Sequence, residues 1–262
     1  MSTLIHPTAI LDKRVELAEG VSIGPYSVIK GKVQIGKGTR IESHVVIGSD
    51  HGVVRIGPDN YILSGAMVGG PPQDLKYKNE ETALEVGSGN TIREFVTLNI
   101  GTATGAGVTR IGNGNLLMAY VHVAHDCQLG NHIAVANASN FAGHVTVEDY
   151  VRIGGVCNFN QFIRIGKYAF IAGDSAVNKD VMPFTIAQGK YAVSRVLNSI
   201  LLERSGFPKE EVENLYRAIR IITKGGRTIE EALADIQAEC TPSENITYLT
   251  AFIRASERGI AR

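Results

Sequence analysis

The sequence predicts a mainly β protein, a solenoid of hexapeptide repeats followed by a small α-helical domain. The first observation is that an aliphatic residue or Phe occupies every sixth position through residues 111–182. The members of this series are Ile111, Leu117, Val123, Leu129, Val135, Phe141, Val147, Ile153, Phe159, Ile165, Ile171 and Val177. A period of six matches neither a helix nor a simple strand, but it is typical of a hexapeptide solenoid. The second observation is that this period ends after Gly189, where helix signals begin.

Three hexads make one coil of such a solenoid, so residues 18 positions apart are predicted to lie above one another. His125 is followed at this spacing by Gly143 and then by Gln161. His122 is followed by Asn140 in the same way. The sequence therefore predicts a polar strip along one edge of adjacent coils. Its members are His122, His125, Asp126, His144, Asn160 and Gln161.

The hexad pattern begins near the N-terminus and is interrupted three times before it runs without a break. Its first members are Ile5, Leu11, Leu17, Ile23, Ile29, Ile35, Ile41 and Ile47. The interruptions cover residues 49–55, 69–85 and 100–110. Insertions in a solenoid leave the coil as loops, often on the face that carries function. The longest one is predicted to reach over a ligand or a neighbouring subunit.

The chain after residue 189 carries the start and stop signals of short helices. Pro208 can occupy the first turn of a helix, and Thr228 with Glu231 has the spacing of a capping box. We therefore predict a hexapeptide-repeat domain over residues 1–189 and a helical domain over residues 190–262. The predicted helices cover residues 193–204, 208–224, 228–239 and 241–257.

The composition does not indicate nucleic acid or a membrane as a partner. The 26 basic residues balance 26 acidic ones, and no apolar run approaches the roughly 20 residues of a membrane span. Residues 1–7 lack the basic cluster and apolar block of a signal peptide. The odd number of cysteines, three, indicates reduced thiols. We therefore expect a cytoplasmic protein with no integral membrane segment.

Apolar residues outside the core positions indicate self-association. Tyr120, Val156 and Phe162 fall on the outside of the predicted prism, where they would need cover. Association of such prisms around a threefold axis would supply it. We therefore expect a homotrimer in which the polar strip of one subunit lies against the next subunit.

The polar strip contains groups for proton transfer but no strong nucleophile. A His is suited to proton transfer near neutral pH, and a carboxylate at its other ring nitrogen fixes the tautomer. His125 is therefore the predicted general base and Asp126 its orienting group, provided that the chain turns a corner there. Cys127 occupies an inward position and is predicted to fill the core. Gly143 leaves a backbone N–H accessible to an oxyanion.

A metal site at His122, His125 and His144 is a second interpretation of the strip. No carboxylate or Cys completes a recognisable set of zinc ligands with them. We therefore predict no metal, and no motif in the sequence indicates an organic cofactor.

Seven short segments, together with the helical tail, carry a resemblance to a known family. They are QDLKY at 73–77, IRE at 92–94, NLLM at 115–118, HVAHDC at 122–127, AGHV at 142–145, IGG at 153–155 and IAQG at 186–189. Over its whole length the chain resembles the bacterial acyl-carrier-protein-dependent UDP-N-acetylglucosamine O-acyltransferases, which start lipid A synthesis. The hexad alone is common to many acyltransferases, whereas the QDLKY loop, the HVAHDC segment and the tail together are specific to this branch.

The resemblance implies a left-handed parallel β-helix, a homotrimer, and an active site between neighbouring subunits. It implies transfer of a (3-hydroxy)acyl chain from acyl carrier protein to the 3-hydroxyl of UDP-N-acetylglucosamine. In this reaction His125 would be the general base, Asp126 would orient it, and the Gly143 amide would hold the thioester oxyanion. The implied substrate-binding residues are Gln73, Asp74, Lys76, His122, His144, Asn160, Gln161, Tyr191, Asn198 and Arg204.

The resemblance also assigns narrower roles to three parts of the chain. Tyr191 would cap the groove for the acyl tail, while Asn198 and Arg204 would lie near the nucleotide. Acyl carrier protein is strongly acidic, so exposed basic residues should steer its approach. The candidates are Arg164, Lys167, Lys190 and Arg195.

Some positions depart from the family pattern. Asn160 stands where a His is common, Asn99 and Ile100 stand where His-Arg is common, and Ile200 and Ser205 replace a Glu and an Arg. An Asn cannot carry charge, and the loss of an Arg removes a bidentate phosphate contact. Two other enzymes therefore stay open, a paralogue acting on the 3-amino analogue of the sugar and an acetyl-coenzyme-A-dependent nucleotide-sugar N-acetyltransferase. A catalytically silent scaffold is a further interpretation, but it has no need for the polar strip.

Overall fold

The computed structural model describes residues 3–262, which form 28 short strands and then four helices. The strands are β1 (Leu4–Ile5), β2 (Ile10–Leu11), β3 (Val15–Leu17), β4 (Ser22–Ile23), β5 (Val28–Ile29), β6 (Lys32–Ile35), β7 (Arg40–Ile41), β8 (Val46–Ile47), β9 (Val53–Ile56), β10 (Tyr61–Ile62), β11 (Met67–Gly70), β12 (Ala83–Val86), β13 (Thr91–Ile92), β14 (Thr97–Asn99), β15 (Val108–Ile111), β16 (Leu116–Leu117), β17 (His122–Val123), β18 (Gln128–Leu129), β19 (Ala134–Val135), β20 (Asn140–Phe141), β21 (Thr146–Val147), β22 (Arg152–Ile153), β23 (Asn158–Phe159), β24 (Arg164–Ile165), β25 (Phe170–Ile171), β26 (Ala176–Val177), β27 (Thr185–Gly189) and β28 (Ala192–Leu197). The helices are α1 (Ser199–Arg204), α2 (Lys209–Thr223), α3 (Ile229–Glu239) and α4 (Glu244–Arg254).

The strands form three parallel sheets, which are the sides of a triangular prism. The first sheet takes every third strand from β1 to β25 and ends with β27 and β28, the second runs from β2 to β26, and the third from β3 to β24. The hexad residues point inward, and Leu117, Phe141 and Ile165 among them are completely buried. The predicted fold class, a left-handed parallel β-helix followed by a small helical part, is confirmed.

The spacing between paired residues locates the insertions. Leu4 pairs with Ser22, 18 residues on, as it must in an uninterrupted coil. Three later pairs, Arg40–Tyr61, Tyr61–Thr91 and Thr91–Leu116, are 21, 30 and 25 residues apart. Compared with the regular spacing of 18, the three coils therefore contain three, twelve and seven additional residues. All three insertions, between β8 and β9, β11 and β12, and β14 and β15, leave the prism at the corner between the second and third sheets. The three predicted interruptions are therefore confirmed. Each contains fewer additional residues than its predicted range, and all three loops lie along the same edge of the prism.

The corners between sheets are tight turns in which a non-glycine residue adopts the left-handed backbone conformation. Asp126 and His144 have φ of 60° and 63° at one corner, and Tyr120 has φ of 64° at another. Such turns direct their side chains away from the core. Tyr120, Val156 and Phe162 are accordingly 60%, 55% and 54% exposed, as predicted, and no other part of residues 3–262 covers them fully.

The segment after Gly189 differs from the prediction at its start. Residues 193–204 were expected to be one helix, but β28 pairs antiparallel with β27 and only α1 is helical. Val193 and Val196 are β-branched, and the hydrogen bonds offered by β27 outweigh the weak helical preference of this segment. The capping box of Thr228 and Glu231 at α3 is present as predicted. Pro208 precedes α2 as its N-cap rather than lying in its first turn.

The helices pack around a second hydrophobic core. This core also takes Met182 and Phe184 from the end of the solenoid, so it continues across the predicted boundary. The division into residues 1–189 and 190–262 stays a prediction. Each helix within residues 3–262 is too short or too polar to cross a bilayer.

Candidate active site

A pocket of about 320 Å³ lies at the corner between the second and third sheets, where the insertions leave the prism. Its walls come from three successive coils and from the loop that follows β11. The lining residues are Gln73, His122, Ala124, His125, Asn140, Phe141, Ala142, Gly143, Asn158, Phe159 and Gln161. The 18-residue spacing therefore brings His125, Gly143 and Gln161 together, as the sequence predicted.

The hexad pattern explains why these side chains face the pocket. His125 and Asp126 form the turn between β17 and β18, and Gly143 and His144 form the equivalent turn one coil further on. His122 lies on the outer face of β17, where it pairs with Asn140. The inward residues of each coil are held in the core, so the turn residues must point outward.

The two residues of the first turn form a hydrogen-bonded pair. Nδ1 of His125 lies 2.9 Å from Oδ2 of Asp126. A carboxylate can only accept, so we assign the proton to Nδ1, which leaves Nε2 as the acceptor. A β-carbon placed on Gly143 would lie 2.8 Å from this Nε2, so the imidazole packs directly on the backbone of the next coil. The free nitrogen is thus held against the turn at Gly143.

The amide of Gly143 is available for a ligand. Within residues 3–262 its N–H has no hydrogen-bond acceptor, although the carbonyl oxygen of the same residue accepts from Phe162. A backbone N–H of this kind can stabilise an oxyanion without reorganising. A base and an oxyanion donor therefore face the same pocket.

The carboxylate of Asp126 is completely buried. It accepts hydrogen bonds from the hydroxyl of Thr102 at 2.6 Å, from the N–H of Thr102, and from His125. Burial alone would raise the pKa of Asp126, but the hydrogen bonds from Thr102 and His125 outweigh it and the pKa is lowered. The group is therefore ionised at neutral pH and can stabilise an imidazolium at His125.

Two further imidazoles lie close to this pair. His144 packs edge-on to His125 with ring centroids 5.1 Å apart and stacks on Phe162. His122 contacts Thr97 through Nδ1, at 2.7 Å from the hydroxyl. Burial lowers the pKa of both His122 and His144, so both are neutral at pH 7 and can donate or accept a hydrogen bond.

The geometry does not favour a metal at this site. Ligand atoms of His125, Asp126 and His144 lie within 4.8 Å of one another, so His122 is not part of the closest group. However, Oδ2 of Asp126 already accepts from Thr102 and pairs with His125, which leaves it poorly placed for a cation. We assign this carboxylate to hydrogen bonding.

Cys127 cannot act as a nucleophile here. It is completely buried, as predicted, and its thiol donates to the carbonyl of Ala142. Burial raises the pKa of Cys127 to about 12, so no thiolate forms at neutral pH. Direct attack by a substrate hydroxyl is the chemistry that the remaining groups support.

Not all of the other predicted substrate residues lie at the pocket. Asp74 is close enough to His144 for its negative charge to act on the pKa of that imidazole in the upward direction, whereas Lys76 is exposed on the same loop. Asn160 is exposed next to the pocket without lining it. The remaining three predicted substrate residues lie elsewhere on the single chain. Tyr191 lies in the hairpin between β27 and β28, and Arg204 is exposed at the end of α1. Asn198 is buried just before α1, where its side-chain amide donates to the carbonyl of Tyr168.

Two polar residues at the site, Thr97 and Thr102, were not predicted from the sequence, and two others were aligned with His122 without being named as site candidates. Asn140 and Asn158 line the pocket, Thr97 contacts His122, and Thr102 contacts Asp126. The 18-residue spacing had aligned Asn140 and Asn158 with His122, so the same rule supported their inclusion among the site candidates. Thr102 lies in an interruption, where the spacing gives no register.

A second, larger groove of about 1180 Å³ runs along the outer face of the third sheet. It is lined by a ladder of polar side chains, including Glu85, Arg110 and Gln128, that bond to one another. The charges of Glu85 and Arg110 are thus paired with each other. Because the groove lacks an acid–base pair like that of His125 and Asp126, we place the candidate site in the smaller pocket.

Known proteins resemble the chain along its length. A family model described as UDP N-acetylglucosamine O-acyltransferase, domain 2, matches residues 180–261, and one described as bacterial transferase hexapeptide matches residues 2–49. A relative from Saccharophagus degradans, named acyl-(acyl-carrier-protein)–UDP-N-acetylglucosamine O-acyltransferase, is 48% identical over 99% of this chain and all of its own length. One of the same name from Thermodesulfovibrio yellowstonii is 44% identical over 98% of this chain and 99% of its own.

Solved structures agree with these relatives. The UDP-N-acetylglucosamine acyltransferase of Bacteroides fragilis superimposes with a TM-score of 0.95 at 41% identity, over 99% of this chain and all of that one. The enzyme of the same name from Francisella novicida gives a TM-score of 0.94 at 34% identity, over 99% of this chain and 94% of that one.

Proposed function

Because the chain belongs to the family of acyl-(acyl-carrier-protein)–UDP-N-acetylglucosamine O-acyltransferases, we propose that it transfers a 3-hydroxyacyl chain from acyl carrier protein to the 3-hydroxyl of UDP-N-acetylglucosamine. This acylation is the first step of lipid A biosynthesis. The observation that carries the proposal is the hydrogen-bonded pair of His125 and Asp126 packed on the backbone of Gly143. The relatives are named as O-acyltransferases, so the 3-amino acceptor and the acetyl-coenzyme A donor are not favoured.

The proposed reaction needs one base and one oxyanion donor. Nε2 of His125 removes the proton of the sugar 3-hydroxyl as its oxygen attacks the thioester carbon. Asp126 stabilises the imidazolium, and the N–H of Gly143 hydrogen-bonds the oxyanion. The C–S bond then breaks, and the imidazolium returns its proton to the departing thiolate. The products are the ester and the free thiol of the carrier.

The remaining polar residues would bind and orient the substrates. Gln73, His122 and Gln161 line the pocket beside His125, which supports contacts with the sugar and the thioester. Neutral His122 and His144 would supply hydrogen bonds without bringing charge. The same binding role is proposed for Asp74, Lys76 and Asn160, a cap on the acyl tail for Tyr191, and contacts near the nucleotide for Asn198 and Arg204.

We propose that the protein is a cytoplasmic homotrimer with this site between neighbouring subunits. The loop between β11 and β12 supports this arrangement, because Leu75 at its tip is 99% exposed in the single chain. Burial of this apolar side chain by a neighbouring subunit would be favourable. Burial of Leu75 by a neighbour would also bring Lys76 towards that neighbour's surface.

The acyl carrier protein would approach from the side of Lys190 and Arg195. Arg195 is exposed, and Lys190 forms an exposed ion pair with Asp174 that a stronger acidic partner could replace. Arg164 and Lys167 are less suited to docking than the sequence suggested. Their cationic groups lie over aromatic rings of the helical part, Arg164 over Phe252 and Lys167 over Tyr248.

A donor competition assay tests the proposal. Purified protein is given UDP-N-acetylglucosamine with 3-hydroxyacyl carrier protein and acetyl-coenzyme A side by side, and the products are identified by mass spectrometry. We expect the 3-O-hydroxyacyl sugar nucleotide alone, and a loss of about 10²–10⁴ in kcat for His125→Gln. His6→Gln, which changes an exposed imidazole in the first coil, is the matched control. Acetyl transfer alone, or a near-native rate for His125→Gln, would overturn the proposal.

A further inference from the structure

The insertion between β14 and β15 folds over the buried carboxylate of Asp126. Thr102, which is 2% exposed, donates its hydroxyl to Oδ2 at 2.6 Å and its N–H to Oδ1 at 3.1 Å and Oδ2 at 3.2 Å. One residue therefore supplies two donors to the same carboxylate. Charge-assisted hydrogen bonds of this kind are the stronger class and fix geometry as well as charge.

A glycine brings the same loop into close contact with the catalytic corner. A β-carbon on Gly105 would lie 2.5 Å from Cγ of Asp126 and 2.6 Å from Cε1 of His144. No side chain fits there, so the backbone of the loop lies directly on the carboxylate. The side chain of Asp126 is consequently 0% exposed.

The loop is itself anchored, so Thr102 is held in place. The carbonyl oxygen of Thr102 accepts from the N–H groups of Gly105 and Gly107, both at 3.1 Å. The hydroxyl of Thr82 donates to the carbonyl of Gly101 at 2.6 Å. The donors that meet Asp126 are therefore preorganised by the preceding coil.

We propose that Thr102 is a positioning residue for the acyl transfer: its hydroxyl and N–H hold the carboxylate of Asp126 so that Oδ2 stays against Nδ1 of His125. This inference rests on the proposed function. Oδ2 of Asp126 is also 3.8 Å from Nε2 of His144, so a carboxylate released by Thr102 has a second imidazole to approach. The hydroxyl of Thr102 selects His125 over His144 and thereby keeps Nε2 of His125 as the acceptor in the pocket.

This role predicts that loss of Thr102 lowers the rate of catalysis without weakening substrate binding. Thr102 does not line the pocket, so its loss should leave substrate affinity almost unchanged. The effect should appear in kcat, because it acts on the tautomer and orientation of the base. The titratable groups that interact with His125 are Asp126, His122 and His144.

The test compares Thr102→Val, which keeps the shape and the N–H but removes the hydroxyl, with Thr102→Ser, which keeps the hydroxyl. We expect Thr102→Val to lower kcat by about 10- to 100-fold with KM unchanged, and Thr102→Ser to recover most of this loss. Thr247→Val is the control, because Thr247 is exposed on α4 and its hydroxyl donates to the carbonyl of Ser243, with no contact to Thr102 or Asp126.

A double-mutant cycle distinguishes positioning from a general structural effect. In an Asp126→Asn background the Thr102→Val change should cost little more, because the group on which it acts has been removed. Equal losses in both backgrounds, or a rise in KM alone, would overturn the proposal. Thr102→Ala is the second variant if Thr102→Val does not fold.

A spectroscopic measurement separates this inference from the proposed function. The imidazole ¹⁵N shifts of His125, assigned with His125→Gln, report which nitrogen carries the proton without any substrate. We expect a protonated Nδ1 in the wild type and a mixture of the two neutral tautomers in Thr102→Val. If the wild type transfers no acyl group, the proposed function fails while this comparison still decides the role of Thr102. Identical spectra would overturn that role.

Discussion

The imidazole of His125 lies on the backbone of Gly143, so closely that a β-carbon on residue 143 would be 2.5 Å from Cε1 and 2.8 Å from Nε2. Gly143 does not adopt the left-handed backbone conformation, so the constraint on this position is the contact with the imidazole alone. An alanine there would have to displace His125 from Asp126. The same contact leaves the Gly143 amide beside the proposed base.

We expect Gly143→Ala to lower kcat by about 10²-fold or more, because both the base and the oxyanion donor move. Steady-state kinetics and circular dichroism measure the effect on turnover and on the fold. Gly225→Ala is the control, since a β-carbon on Gly225 would meet nothing within 4 Å. A Gly143→Ala enzyme with wild-type kcat would show that the close contact is not needed for turnover.

The partly buried imidazoles of His144 and His122 predict a loss of stability in mild acid. Burial lowers the pKa of His144 below its usual value of 6.5, although the charge of Asp126 acts in the opposite direction. As the pH falls below about 6.5, the unfolded chain takes up a proton before the folded one does, so the free energy of unfolding decreases. Urea unfolding of His144→Asn between about pH 7 and pH 5 should therefore show a shallower decrease than the wild type.

His122 provides an internal comparison for this prediction. Its pKa is also lowered by burial, with a further contribution from His125, so His122→Asn should act in the same direction. A steeper acid dependence in either variant would contradict the assignment of these residues as neutral in the folded state.

The periodic part of the chain made the fold and half of the site predictable. The inward hexad residues fix the register between successive coils, so the 18-residue spacing alone predicts that His125 lies next to Gly143. The corner at Asp126 followed from its position in the hexad, and the turn there has a φ of 60°. Where a strict repeat exists, the sequence carries three-dimensional contacts directly.

The parts that could not be predicted are those without the repeat. Thr102 reaches Asp126 from an insertion, whose path depends on hydrogen bonds to neighbouring coils. Arg164 occupies an outward position, but α4 folds back and places Phe252 against it. Both contacts arise from long-range packing, which local patterns do not encode.

The hairpin that carries Tyr191 predicts a change in acyl-chain preference. Gly189 pairs with Ala192, so Lys190 and Tyr191 form the turn between β27 and β28, and Tyr191 is 68% exposed. If its ring caps the acyl groove, Tyr191→Ala should accept longer chains than the wild type does. Relative kcat/KM over a series of acyl carrier proteins measures this preference.

An exposed tyrosine elsewhere provides the control for this substitution. Tyr216 on α2 is 52% exposed and lies in the helical part, so Tyr216→Ala should leave chain preference unchanged. An unchanged preference in Tyr191→Ala would assign the limit on acyl length to another residue.

The contact between the solenoid and α4 involves a partly buried carboxyl group, that of Glu148. Glu148 accepts hydrogen bonds from the hydroxyl of Tyr248 and the N–H of Lys167, and it faces the guanidinium of Arg164 at 3.4 Å. Burial raises the pKa of Glu148, although its contacts with Lys167 and Arg164 oppose this effect. The folded protein therefore holds this proton more tightly than the unfolded chain does.

The sign of the resulting pH effect is opposite to that of the histidines. The stability contributed by the raised pKa is present in acid and is lost as the pH rises through the folded-state pKa of Glu148. Glu148→Gln keeps the acceptor oxygen for Tyr248 but cannot ionise. Its Tm relative to the wild type should therefore increase between about pH 4 and pH 8. Glu213→Gln, on the exposed face of α2, is the control for the loss of a carboxylate. If the Tm of Glu148→Gln relative to the wild type falls with rising pH instead, the ion pair with Arg164 outweighs the effect of burial.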